Sequence, residues 1–460
     1  MAKSAKATMI NDMTEGNLTR QLLSFSWPFM LSNLLQVVYN LVDMIVVGQF
    51  VGSAGLSAVS NGGEMLHLFM LLCMGFATGG QIIISQYIGQ GSLDGVKKTI
   101  GTMFTFITAM AVFAMLLGFT FGNSLLKLIN IPEEAMGQAI DYTRVCYAGM
   151  IFVFGYNLVS AILRGMGDSK RPFWFIAIAA VTNLILDLVF VAGLGMEALG
   201  AALATVIGQA VSFIGSLIYL YIKRENFGFD FKLKSFAIHK PTLIAMLKLG
   251  IPMALQQAAI TVSMLFVASY INAYGLVVSA VNGVGNKLGT MAGIVTGAFS
   301  MAGSSMIGQN FGARKFDRVS KIVYITLAIG LVYSVLLSAA LLLWPEQVFS
   351  IFDTDPEVLA MSHVYAIMGA LNFLGSAFRM PFMSMVNGIG FAGLSFVVGI
   401  LDGVVARVGL AMLLGIVLDM GIQGFWLGSV AAGFMPFIVC GIYFWSGAWK
   451  KRRLAVTAEE

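Results

Sequence analysis

The sequence predicts an all-α polytopic membrane protein: twelve transmembrane helices in two parallel six-helix repeats, an N-lobe and a C-lobe, around a central cleft. Three observations predict it. Apolar runs of about 20 residues, long enough to cross a bilayer as a helix, recur from Leu22 to Trp449. The chain is 58% hydrophobic and 11% charged, with a mean hydropathy of +0.87. Residues about 223 apart match across the two halves.

Taken in order, segment 1 spans 22–50 and holds Pro28 and a polar stripe ending at Asp43. Segment 2 (56–84) carries Glu64 and His67, then Gly75, Gly79 and Gly80, whose small size permits close helix approach. Segment 3 covers 99–121, and segment 4 (138–163) brings Asn157. Segment 5 (172–193) holds Asn183 and Asp187, and segment 6 (198–222) holds Thr205. Segment 7 (242–270) repeats the proline as Pro252, and segment 8 (277–305) carries Lys287, Gly297 and Gly303. Segment 9 covers 320–344; segment 10 (358–386) contains Arg379, and segment 11 (394–417) Asp402 and Arg407. Segment 12 closes the set at 423–447. Helices satisfy their own backbone hydrogen bonds in lipid, and the short alternating segments of a barrel are missing. The implied domains are a cytosolic N-terminal segment 1–20, an N-lobe 21–222, a cytosolic linker 223–241, a C-lobe 242–447 and a cytosolic basic tail 448–460.

The net charge of +5 is explained by topology, not by nucleic-acid binding. Of the 27 Lys and Arg, 22 fall at the N-terminus (Lys3, Lys6, Arg20), in the even-to-odd loops and in the tail, whereas the opposite loops hold Lys127 alone. The positive-inside rule then puts both termini in the cytosol, consistent with an even helix count. The basic residues of 223–240 read as solvated topology signals. Cys73, Cys146 and Cys440 are too scattered for a disulfide framework or metal site, and His67, His239 and His363 lack metal-ligand spacing. No phosphate-cradling Gly loop precedes a Lys-Ser/Thr pair, which argues against an ATP-driven motor.

The repeat pairs Phe76 with Phe299, Gly80 with Gly303, Gln86 with Gln309, Asp94 with Asp317, Tyr142 with Tyr365, Gly165 with Gly388 and Gly167 with Gly390. Six helices per unit is an even number, so both units insert in the same orientation, as in one class of secondary transporters.

Function is expected where the repeat breaks. Asp43 has Phe266 or Val267 as counterpart, Asp187 has Leu410, Asn183 has Ala406 and Asn157 has Met380. Asn33, Gln36, Asn40 and Asp43 are spaced 3, 4, 3 and share one helix face; Asn183 and Asp187, four apart, share another. Carboxylates inside apolar spans are costly and face the bundle interior or water. With Asn157 and Thr205 they form a set of hard oxygens that suits a proton or an alkali cation better than zinc or copper. Two close, buried carboxylates cannot both stay ionised cheaply, so an arriving proton or Na+ would neutralise them. Gln36, Tyr39, Asn40, Tyr142, Glu64, Lys287 and Arg379 are cavity or substrate candidates, with Glu64 and Lys287 a conceivable pair across the cleft. Arg379, Asp402 and Arg407 read first as a structural ion network. Pro28 is a hinge candidate, because proline frees a carbonyl and permits a bend. The 29 Met and 35 Phe read mainly as packing and lipid-facing residues; any that line a cavity give it an adaptable wall.

Across residues 20–447 the chain resembles the multidrug and toxic compound extrusion (MATE) family, in its DinF-like branch. The resemblance rests on the 6+6 repeat, the paired loops Gln86-Tyr87-Ile88-Gly89 and Gln309-Asn310-Phe311-Gly312, and the turn Leu163-Arg164-Gly165-Met166-Gly167-Asp168. Asp43, Asn157, Asn183, Asp187 and Thr205 look like that branch's N-lobe cation site. The resemblance implies H+- or Na+-coupled antiport of amphipathic, mostly cationic drugs by alternating access, with helix 1 bending at a proline on cation binding. It also implies a monomer in the inner membrane that needs no cofactor, takes small organic cations and is not an enzyme. Gln256 and Gln257 in segment 7 and Arg379 in segment 10 stand where the NorM-like branch has acids, which argues against a NorM-type C-lobe Na+ site. The rival readings are a lipid-linked-precursor flippase, a membrane enzyme and a channel. The flippase expects a basic cavity, the enzyme a nucleophile–base pair or metal motif, and the channel conductance without saturable counterflow.

Overall fold

Where side chains are apolar over a bilayer's width, the backbone has no partner but itself, and the helix follows. The computed structural model describes residues 11–129 and 131–456; Lys3 and Lys6 lie outside them, as does the end of the tail. Twelve helices are long and apolar enough to cross a membrane. They are α1 (Leu18–Phe50), α2 (Ser53–Gln90), α3 (Leu93–Leu128), α4 (Glu133–Gly165), α5 (Lys170–Gly193) and α6 (Glu197–Ile222). The second six are α7 (Lys240–Asn272), α8 (Leu276–Gly312), α9 (Phe316–Leu343), α10 (Pro356–Gly388), α11 (Ala392–Val417) and α12 (Gly421–Trp445). Among the described residues there is no strand. Large apolar side chains such as Phe113, Leu116, Val262, Leu265 and Leu336 stay exposed, as a lipid-facing surface requires.

The helices overrun their apolar cores because polar end turns are capped outside the hydrocarbon. Ser92 accepts from the Gly95 amide at 3.2 Å, and Asp94 pairs with Lys98 at 2.8 Å in the first turn of α3. Asp168 accepts from the Lys170 and Arg171 amides at the start of α5. Asp355 does the same for Glu357 at the start of α10, where Pro356 takes the first helical position.

The repeat is written in the backbone as well as in the sequence. Gly167 and Gly390 turn with φ of 83° and 74°, and Gly52 and Gly275 with 87° and 110°. A Cβ on Gly165 would stand 2.8 Å from the Gln81 carbonyl; one on Gly388 would stand 2.7 Å from the Ser304 carbonyl. A Cβ on Gly62 would enter the Tyr142 ring and one on Gly285 the Tyr365 ring. The same helix pairs therefore meet through the same small residues in each half.

The chain packs as two compact units. One holds Trp27–Gly250; the other joins Met13–Ser26 to the chain from Ile251 onward. Two helices thus pass from one unit to the other, each within two residues of a proline: α1 between Ser26 and Trp27 beside Pro28, and α7 between Gly250 and Ile251 beside Pro252. Within the first unit the start of α7 lies on α2 through Gly79 and Gly250. A Cβ on Gly79 would approach Leu249 to 3.2 Å, and one on Gly250 would meet the Phe76 ring at 2.5 Å. Within the second unit the segment before α1 is strapped down by the second copy of the repeated loop. The Met13 amide donates to Gln309 Oε1 at 2.9 Å, Asn310 Nδ2 to the Met13 carbonyl at 3.0 Å, and Lys315 Nζ to the Thr14 carbonyl at 2.9 Å.

The linker after α6 packs on α3, while its Lys232 and Lys234 stay exposed. Phe229 is buried among Phe104, Phe231 and Phe236, with ring centroids 4.9 to 6.3 Å apart. Gly101 in α3 makes room for it, since a Cβ there would collide with the Ser235 carbonyl. Asp230 accepts from Ser235 Oγ and from Lys97 Nζ, the latter at 3.2 Å. The Ser235 hydroxyl first, and Lys97 after it, hold the Asp230 carboxyl down at about 2. A lowered folded value gives stabilisation that is complete above the ordinary carboxylate range and lost as pH falls through about 2. Hydrogen exchange in 229–237, corrected for intrinsic rate, is therefore expected to stay constant from about pH 7 to pH 5 and to quicken only below about pH 4. Quickening near pH 6 would contradict this.

Candidate functional site

Three of the four residues of the polar stripe of α1 line one cavity within the first unit; Asn33 does not. Gln36, Tyr39, Asn40 and Asp43 line a cavity of about 560 Å³ with Glu64 and His67 of α2, Tyr142 and Asn157 of α4, and Thr205 and Gln209 of α6. Met44, Met70, Met74 and Met150 supply much of the apolar wall. Unbranched thioethers adapt to ligands of different outline. The volume falls in the range of small-molecule sites.

Asp43 lines this cavity, and Asp187, which does not, lies buried near it. Asp43 is 7% accessible and Asp187 not at all. The two carboxyls lie near each other and near the Asn183 amide, with no hydrogen bond joining them among the described residues. Thr205 Oγ1 is 3.4 Å from Asp43 Oδ2, and Asn183 Nδ2 is 3.4 Å from Thr205 Oγ1. Among the described residues, Asp187 Oδ1 and Oδ2 and Asp43 Oδ1 are buried with no hydrogen-bond donor in place. A buried carboxylate without a donor is expensive. One proton shared between the carboxyls, or one small cation among these oxygens, relieves that cost. Asp187 sits where α5 changes from α-helix to the π-helical turn Leu188–Gly193. Such wide turns in helices occur often at functional positions. Gly208 keeps α6 close to α5 beside the pair: a Cβ there would stand 2.9 Å from the Ala179 carbonyl and 3.3 Å from the Asn183 Cβ.

Asn157 reaches the cavity wall but spends its amide on the Val153 carbonyl at 2.8 Å, leaving its Oδ1 for a ligand. Four of the sequence candidates do not line this cavity: Asn183 and Asp187 of the first unit, and Lys287 and Arg379 of the second. Lys287 Nζ stands 5.8 Å from the Phe352 ring centroid. Arg379 Nη1 is 3.9 Å from Asp402 Oδ2, and Arg407 Nη2 is 2.9 Å from Asp402 Oδ1. Pro28 lies within α1, which runs unbroken through it, and Ser32 Oγ donates to the Pro28 carbonyl at 2.8 Å. Gln209 and Tyr156 also line the cavity without having been singled out in the sequence. Gln209 lies four residues after Thr205, so the same-face rule that found Asn183 beside Asp187 would have found it.

The MatE family sequence model matches residues 28–189 and 252–419, one copy in each half. Two Bacillus subtilis (strain 168) proteins are similar over nearly their whole lengths. Probable multidrug resistance protein YpnP is 30% identical, covering 96% of this chain and 98% of the relative. Probable multidrug resistance protein YoeA is 26% identical, covering 99% of each. Among solved structures, a MATE crystal structure in the bent conformation matches with a TM-score of 0.88 at 23% identity, over 98% of this chain and 99% of that one. One in the straight conformation matches with 0.87 at 23% identity, over 98% and 100%. At that identity these structures establish the fold alone.

Proposed function

This chain belongs to the MatE family of multidrug efflux transporters, which are not enzymes, and from that membership we propose that it exports amphipathic organic cations in exchange for H+ or Na+ bound at Asp43 and Asp187. The observation that carries this reading is a close pair of buried carboxyls with unpartnered oxygens, one of which, Asp43, lines a methionine-walled cavity. Asn183, Thr205 and Asn157 complete the oxygen set. Gln36, Tyr39, Asn40, Tyr142 and Glu64 contact the drug. The cation neutralises the pair from one side of the membrane, and the drug leaves from the other. The two units act as lobes, and the prolines at both crossings, Pro28 above all, are where α1 and α7 absorb the change of angle. The protein works as a monomer in the inner membrane, with both termini in the cytosol and no cofactor beyond the coupling ion.

The test is efflux from proteoliposomes with pH and Na+ gradients imposed separately. Uphill export of an organic cation under at least one gradient is expected. Equal efflux with neither gradient would sink ion coupling. Arg379 and Arg407 favour a second reading, a flippase for lipid-linked anionic precursors, which predicts that phosphate-bearing lipids and not organic cations stabilise the purified protein.

A further inference from the structure

Away from the helix ends, the membrane-spanning part of the second unit holds three cations, Lys287, Arg379 and Arg407, against one acid, Asp402. Asp402 is fully buried and is committed to Arg407, which also donates from Nη1 to the Ser429 carbonyl at 3.3 Å. Arg379 is placed differently. It lies about 14 Å inside the Gly388 end of α10 at 1.5 Å per residue, farther in than the polar end turns. Its nearest acid oxygen is 3.9 Å away, too far for a hydrogen bond, and it makes no hydrogen bond among the described residues. Its side chain is nonetheless 44% accessible. The α7 side chains behind this cluster are neutral: Gln256 packs on Gly399 of α11, about one turn before Asp402. A guanidinium in a membrane span with no hydrogen-bond acceptor from the protein must face water or a ligand. Its planar fork matches a carboxylate or phosphate with two parallel bonds.

We propose that Arg379 is an oxyanion-recognition site in the second unit, taking a carboxylate or phosphate group of the exported compound. The source of that group rests on the export reading above; the binding chemistry does not. Asp402, bonded to Arg407 and 3.9 Å from Arg379, leaves the cluster of two guanidiniums and one carboxylate with a net positive charge for a ligand. The compounds favoured are then amphoteric, with a basic centre and an acidic one on the same apolar frame.

The test uses the purified full-length protein in phosphatidylcholine nanodiscs and fluorescence anisotropy. The probes are rhodamine B, an organic cation bearing a carboxylate, and rhodamine B ethyl ester, the same dye with that group masked. Comparing the affinity ratio of the two dyes between proteins cancels their partitioning into lipid. From wild type to Arg379→Gln the ratio is expected to fall roughly tenfold, the weight of one charge-assisted contact, while ester affinity stays within about twofold. Arg379→Lys is expected to keep part of the preference, which a merely structural role would not produce. Adding phosphatidic acid to the nanodiscs separates the sources. If it weakens rhodamine B binding to wild type but not to Arg379→Gln, the site is confirmed and its natural oxyanion is a lipid headgroup. A dye ratio and a phosphatidic acid response unchanged by Arg379→Gln would overturn the proposal. Failure of gradient-driven export would sink the export reading and leave the dye ratio untouched.

Discussion

Asp43→Asn is expected to reduce gradient-driven export to the level of empty liposomes while leaving a folded protein in the membrane. Asparagine keeps the shape of the side chain and still accepts from Thr205 Oγ1, now 3.4 Å away. It also brings an amide donor toward Asp187, whose two oxygens have none. The thermal midpoint in detergent is therefore expected to be equal or higher, because the substitution removes a buried charge that faces another. What is lost is the change of charge. One elementary charge moved through 100 mV supplies roughly 2.3 kcal/mol, enough for a concentration ratio of about fifty. A side chain fixed in the neutral state cannot draw on that energy. Downhill exchange of labelled for unlabelled drug separates coupling from binding: it is expected to persist in the variant while uphill export disappears. Uphill export at the wild-type rate would end the assignment of Asp43.

Arg407→Met is expected to be the most destabilising single substitution in the second unit. Asp402 is fully buried and its 2.9 Å bond from Arg407 is the only hydrogen bond it accepts among the described residues. Arg379, at 3.9 Å from the other oxygen, cannot replace that bond without moving. Removing one partner of a buried ion pair typically costs about 3–5 kcal/mol, because the remaining charge is stranded. Adding Asp402→Leu to Arg407→Met removes the stranded charge, and the double variant is expected to recover to within about 1 kcal/mol of wild type. Denaturation in detergent micelles reads all three proteins. A single variant as stable as wild type would show that Asp402 is relieved by another group.

The two cases differ in how legible they were. Asp43 and Asp187 stand out in the sequence because each interrupts an apolar run and each lacks an acidic counterpart in the other half. Their partners on the same helix follow from spacing: Gln36 and Asn40 with Asp43, Asn183 with Asp187. That the two aspartates lie near each other is another kind of fact. It depends on how α1 and α5 are rotated about their axes and on Gly208 drawing α6 against α5. The ion network shows the same limit. Asp402 and Arg407 are five apart on one chain segment, a spacing an ideal α-helix does not bring face to face, but the π-helical stretch Ile400–Val408 widens the turn and lets them pair. The linker shows the same limit in its packing. Its charges are plain in the sequence, whereas the match of Phe229, Phe231 and Phe236 to Phe104 and to the gap at Gly101 exists only once α3 is folded.

By itself the sequence determined the number of spans, their helical form, the duplication and the polar faces of single helices. These follow from hydropathy, backbone satisfaction and the 3.6-residue period, all of which act between chain neighbours. The tertiary structure alone decided which faces meet, that one cavity gathers four helices around Asp43, that α1 and α7 each belong to both units, and that Arg379 is left with its donors free. Those outcomes depend on close packing between residues scores of positions apart. There a single glycine or one widened turn sets the rotation of a helix, and no local pattern encodes it.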